Sequence, residues 1–125
     1  MKLLLTIAIS VLALNLAVGA EPKPQAKSFE AFWTEFKAAV TSNNKEAIAG
    51  LTKLPYGFEA KGLNRAEFIK ECSVLFDSKT RACFRKAKPV KEEKGDSYSV
   101  FCGETIFIFA RVKGEYRFTE TGVND

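Results

Sequence analysis

The chain contains no histidine, so acid or base chemistry would fall first to its carboxylates, with tyrosines as hydroxyl donors and cysteines as thiols. That absence removes the side chain that titrates near neutrality and the commonest nitrogen ligand for zinc. Triads with a histidine base and histidine-containing metal sites are excluded. The aspartates are Asp77, Asp96 and Asp125; they read as a turn between helices, a loop before a strand and the C-terminal tail, and none is placed as a buried general base. Glu104, beside Gly103 where two strands meet and with Tyr98 and Tyr116 on neighbouring strands, is the better carboxylate, yet a turn glutamate is ordinarily solvated. Glu59 reads the same way. No catalytic residue is assigned, no metal or cofactor is expected, and a small lyase or isomerase using Glu104 stands last among the function classes considered.

The cysteines are Cys72, Cys83 and Cys102. No Cys-x-x-Cys spacing supports a metal site, so in an oxidising compartment they imply one disulfide and one leftover thiol. Cys72 and Cys83 flank Asp77-Ser78 almost symmetrically, and a helical hairpin turning there would set them opposite each other. Cys72–Cys83 is therefore the expected pair, with Cys83–Cys102, a staple from helix to strand, as its rival.

An oxidising compartment is itself an expectation from the first twenty residues. Lys2 precedes an apolar run from Leu3 to Val18, and Val18-Gly19-Ala20 supplies small residues at a cleavage boundary, the pattern of a secretory signal peptide. The run is shorter than the roughly 20 residues of a bilayer span and contains Asn15. No cysteine stands at the boundary to carry lipid, so no stable membrane anchor is expected after cleavage, and the location reads as periplasmic or secreted. Residues 21–27, with Pro22 and Pro24, form an extended leader. Residues 28–125 are the size of one domain with one core.

The net charge of +4 at pH 7 suits weak attraction to anions rather than a dedicated nucleic-acid surface. The positive charge is concentrated: Lys79, Arg81, Arg85, Lys86 and Lys88, then Lys91 and Lys94, stand against only Glu92 and Glu93. As a function, this surface would meet a phosphate-bearing head group, a polyanionic polymer or an acidic protein face; otherwise it is the solvated side of a helix. Aromatic residues do not alternate with these charges, as a platform for stacking bases requires.

The elements that must position these groups follow from periodicity. Ser28 caps a helix in which Phe29, Phe32, Trp33, Phe36 and Val40 share one face. Asn44 caps a short second helix with Ala47, Ile48 and Leu51 inward, ended by Leu54-Pro55. Tyr56 to Ala60 reads as a weak edge strand. Asn64 with Glu67 forms a capping-box start for a helix over 65–76, and residues 79–88 form a fourth, stopped by Pro89. The period then changes: Tyr98–Cys102, Thr105–Val112 and Tyr116–Thr121 are rich in aromatic and β-branched residues and are separated by Gly103-Glu104 and Lys113-Gly114, giving an antiparallel meander. Thr105 to Ala110 is apolar at both parities, so that strand should be covered on both faces or line a cavity.

Helices followed by a meander make an α+β domain, N-terminal helices packed on a curved, cone-like antiparallel sheet. Phe32-Trp33-Thr34-Glu35-Phe36-Lys37 with Asn44-Lys45-Glu46-Ala47, Glu67-Phe68-Ile69 with Leu75-Phe76, and the closing Gly114-Glu115-Tyr116-Arg117-Phe118 resemble small exported bacterial proteins of the nuclear-transport-factor-2-like, or cystatin-like, architecture over residues 28–121. The resemblance implies packing rather than a reaction, and enzymes of that architecture use an aspartate with a histidine or tyrosine inside the cone. The expected function is a non-catalytic binding or accessory domain, with Trp33, Phe36, Tyr98, Phe107, Phe109 and Tyr116 as the candidate lining for a small apolar ligand held between the first helix and the sheet. The alternative is an envelope protein-interaction or inhibitor module using the basic 79–94 surface. A monomer or homodimer is expected, with no nucleic-acid partner.

Overall fold

Each helix begins where a short polar side chain can take up the free amide groups of its first turn. In the computed structural model, which describes residues 27–57 and 61–125, α1 (Phe29–Thr41) starts with Ser28 Oγ accepting from the Ala31 amide at 3.2 Å, and α2 (Lys45–Gly50) with Asn44 Oδ1 accepting from Ala47 at 3.1 Å. α3 (Arg65–Leu75) carries the complete capping box: Asn64 Oδ1 accepts from the Glu67 amide at 2.9 Å, and Glu67 Oε1 accepts from the Asn64 amide at 3.1 Å. α4 (Ser78–Lys86) starts at Asp77, whose carboxylate accepts from the Thr80 amide at 2.9 Å. That bond holds the Asp77 carboxyl below its usual range. α4 stops two residues earlier than expected, with Ala87 already extended, because Pro89 disfavours helical geometry at the residue before it.

The strands are β1 (Val90–Lys91), β2 (Tyr98–Cys102), β3 (Thr105–Val112) and β4 (Glu115–Val123), an antiparallel sheet in sequence order. Gly103, with φ 62°, turns the chain between β2 and β3; Lys113 and Gly114, with φ 53° and 84°, turn it between β3 and β4. Both loops have two residues, and positive φ there matches the twist of the flanking strands. β1 was not anticipated; it forms because residues 92–97 fold back and pair Val90 with Ser99 and Lys91 with Tyr98. The weak strand expected at 56–60 is corrected in its described part: Tyr56 makes only an isolated bridge to Leu63. The segment that lies along β4 is instead Leu51–Lys53, with Lys53 donating to the Phe118 carbonyl at 2.8 Å and the Phe118 amide donating to Leu51 at 2.9 Å. Residues 1–26, with the expected signal peptide and nearly all of the leader, and residues 58–60, with Glu59, lie outside the described residues.

The helices and the sheet meet across a layer of phenylalanines. Phe32 and Phe36 of α1, Phe76 after α3 and Phe84 of α4 pack on Phe107, Phe109 and Phe118, and Phe36, Phe76, Phe84, Phe107, Phe109 and Phe118 have no exposed surface. Burying rings of this size is the main stabilising term for so small a domain. The register puts Tyr98, Val100, Phe107, Phe109, Tyr116 and Phe118 on this inner face. Ile106, Ile108 and Ala110 occupy the other face and are only half-buried, so among the described residues the helices cover one face of β3, not both.

Candidate functional site

The disulfide joins Cys83 to Cys102, with Cα atoms 5.9 Å apart, and Cys72 is a free, buried thiol. The expected Cys72–Cys83 pair is corrected, and helical phase supplies the reason. Cys72 stands four residues from both Phe68 and Phe76, on the stripe of α3 that faces the core, and none of these three is exposed. Cys83 is one position away from the buried Phe84, so it faces the rim of the layer, where β2 ends at Cys102. Burial pushes the Cys72 thiol up to about 11, which keeps it protonated and unreactive.

The staple holds α4 against the end of β2 and so fixes the direction of its outer side. Lys79, Arg85 and Lys86 are exposed there, and Lys88, Lys91 and Lys94 continue the positive charge into the following loop and β1. Among the described residues the ion pairs are Lys27–Glu35, Arg65–Glu46, Arg111–Asp96 and Arg117–Glu115; none neutralises this surface. Arg81 differs from its neighbours, since its guanidinium donates to the Phe76 carbonyl at 2.8 Å and closes the end of α3. The cluster read from sequence thus divides into one structural arginine and an unneutralised outer side.

Of the six residues proposed to line an apolar site, Trp33, Phe36, Tyr98, Phe109 and Tyr116 come together between α1 and the sheet, whereas Phe107 packs on Phe76 and Phe84 beyond α1. Phe36 meets Phe109 edge-on at 5.0 Å between centroids, and Trp33 lies 5.8 Å from Phe109 and 5.5 Å from Phe84. Tyr98 stacks on Phe29 at 3.6 Å, and Tyr116 stands edge-on to Phe29 at 5.3 Å. Trp33 and Tyr98 alone of the six keep appreciable exposed surface, at one edge of the layer. A separate cleft of about 180 Å³ opens beside β4, lined by Lys53, Pro55, Gly57, Thr119 and Glu120. It lies where the chain turns away from β4 after Lys53.

Glu104 is exposed at the β2–β3 turn, which leaves it without the burial a catalytic acid or base would need. The carboxylate with defined partners is Asp96. It accepts hydrogen bonds from the Tyr116 hydroxyl and from Arg111 Nε, and the Arg111 guanidinium lies over the Tyr116 ring, 4.4 Å from its centre. The Tyr116 hydroxyl and then Arg111 hold the Asp96 carboxyl below its usual 3.8. Burial first, and then the Asp96 hydrogen bond, push Tyr116 up to about 12. Ion-paired and fully engaged, Asp96 is a tie between the 92–97 loop and the β3–β4 hairpin rather than a free base.

The tie has a pH signature. A depressed carboxyl stabilises the fold above its unfolded pKa and loses that contribution as pH falls through the lower folded value. A raised phenol contributes below about 10 and loses its contribution as pH rises towards 12. Asp96→Asn should therefore melt below wild type at pH 7, with the difference shrinking as pH falls below 3.8. Thermal melts of both proteins from neutral to strongly acidic pH check this; a constant difference would mean that Asp96 is not a charged tie.

The fold and this surface define an α+β domain with a helix-to-strand disulfide and a basic helix side. No protein-family model, curated protein or solved structure matches the chain. Among the described residues no three cysteine, aspartate or glutamate side chains converge as a metal site, and no helix is long and apolar enough to cross a membrane.

Proposed function

We propose that this chain is an exported, non-catalytic accessory domain that captures an anionic partner through the outer side of α4. The observation that carries the reading is the group of exposed, unneutralised Lys79, Arg85 and Lys86 on a helix stapled in place. Clustered charge of one sign on a rigid element raises the local concentration of an oppositely charged partner and steers its approach. Export is supported by the signal-peptide pattern of residues 1–20 and by the disulfide, which persists in oxidising compartments. The order of helices followed by a meander supports a curved, cone-like form of the nuclear-transport-factor-2-like kind. The absence of an unengaged buried carboxylate among the described aspartates supports a binding role.

The test is retention on immobilised dextran sulfate at physiological salt. Arg85→Glu/Lys86→Glu is expected to abolish retention, whereas Lys53→Glu/Lys70→Glu, with the same change in net charge elsewhere on the surface, is expected to keep most of it. Equal loss in both variants would reduce the effect to net charge and overturn the reading.

A small apolar ligand between α1 and the sheet is the second reading, favoured by the exposed edges of Trp33 and Tyr98. Such a ligand would displace contacts of the lone tryptophan and shift its emission.

A further inference from the structure

The sheet face turned away from the helices has the composition of a buried surface. Antiparallel sheets with one solvated face usually alternate apolar and polar residues, but β3 presents Ile106, Ile108, Ala110 and Val112 outward, and all four are half-buried. Phe101 on β2, beside Ile106 and 46% exposed, extends the patch, whereas Val90 on β1 is separated from Ile108 by Ser99. Gly122 leaves a recess beside the patch: a Cβ there would lie 3.8 Å from both Ile106 Cβ and Ile108 Cδ1. The apolar patch of β3 is thus bordered by Ser99, whose hydroxyl donates to Glu92, on one side and by the charged side chains of β4 on the other, and an apolar patch with a polar border is the mark of an interaction surface.

The border indicates what covers the face. The ladder pairs Ile108 with Glu120 and Phe109 with Phe118, skipping Thr119. This bulge brings Arg117 and Glu120, three residues apart, onto the same outer face, where an unbroken strand would send them to opposite faces. The strand therefore presents Glu115, Arg117 and Glu120 outward in sequence; Arg117 pairs with Glu115 along the strand, and when a second copy crosses antiparallel it can also meet that copy's Glu120. Centring a two-fold axis between Arg117 and Glu120 sets Arg117 against the second copy's Glu120. On β3 the same axis sets Ile108 against the second copy's Ala110, large against small, because Ile108 pairs with Glu120 and Ala110 with Arg117. Glu115 then faces the second copy's Gly122, where no side chain opposes it.

We propose that the protein forms a two-fold dimer in which the outer sheet faces pack on each other, β3 across β3. Two-fold interfaces are isologous and the commonest in soluble oligomers, and sheets packed this way lie about 10 Å apart with their strands offset by about 30°. The dimer leaves the outer side of α4 free on each copy, so two basic surfaces would act together on a polyanion.

Sedimentation velocity of the purified protein over a concentration series is the test. Wild type is expected to be a dimer, and Ile108→Glu, which buries a carboxylate at the centre of the interface, to weaken association by about 100-fold or more while keeping the wild-type circular dichroism. Arg117→Glu is expected to weaken the dimer and Arg117→Glu/Glu120→Arg to restore it, a rescue that does not depend on how Ile108→Glu folds. A wild-type monomer at every concentration would overturn the proposal, whether the face is then open or reserved for another protein. A dimer that persists in Ile108→Glu, or a charge exchange that fails to restore association, would also overturn it.

Discussion

Phe36→Ala is expected to lower the unfolding free energy by about 4 kcal/mol, the upper part of the range for aromatic-to-alanine changes in a core. Phe36 has no exposed surface, and its ring sits 5.7 Å from Phe32, 5.9 Å from Phe76, 6.1 Å from Phe84 and 5.7 Å from Phe118, besides its edge contact with Phe109. It thus ties α1 to the residue after α3, to α4 and to two strands at once. The neighbours are rigid rings already held by one another, so they cannot collapse into the space left behind, and the cavity contribution is close to its maximum. Domains of this size have about 5 to 15 kcal/mol in total, so one substitution would remove a large share. Urea unfolding of the variant beside Val74→Ala, at a position 69% exposed and expected to change stability by no more than about 0.5 kcal/mol, measures it. A loss below about 1.5 kcal/mol would show a loosely filled layer and would favour the reading in which an apolar ligand enters it.

Removing the disulfide is the second large effect. Cys83 and Cys102 are 19 positions apart, and opening a loop of that length frees enough unfolded-state entropy to cost about 3 kcal/mol. Cys83→Ser/Cys102→Ser should unfold at correspondingly lower urea and should also hold dextran sulfate less firmly, since the staple orients the basic side of α4. Mass mapping is expected to find the 83–102 crosslink, an intact mass of residues 21–125 less two hydrogens, and a Cys72 that alkylates only in denaturant. Rapid alkylation of Cys72 in the native protein, or a crosslink to it, would contradict the arrangement of α3 described above.

How much of this was legible depends on how far along the chain each cause reaches. Ser28, Asn44 and the Asn64–Glu67 pair mark helix starts because capping acts over three residues, and α1, α2 and α3 each begin at the residue after those caps. Gly103 and Lys113-Gly114 mark hairpins because a two-residue turn needs positive φ, and the three long strands followed. The Asp96–Arg111 pair was within reach: the turn that pairs Cys102 with Thr105 also pairs Tyr98 with Phe109, and two residues further along the hairpin Asp96 comes opposite Arg111.

Other features had no local signal. Helical phase in α3 places Cys72 with Phe68 and Phe76, but which partner Cys83 takes depends on where α4 lies across the sheet. Leu51–Lys53 lies along β4 because tertiary packing of α1, α2 and the sheet brings it there, although Tyr56 to Ala60 looks more strand-like. The bulge at Thr119, which puts Arg117 and Glu120 on one face, arises from pairing two strands rather than from either strand alone. By itself the sequence determined the four helices, the three long strands and the two hairpin turns, since those preferences are settled among residues a few positions apart. The tertiary structure decided which cysteine is bonded, which carboxylate is tied and which sheet face is left uncovered by the helices, because each joins groups that meet only when separate elements pack.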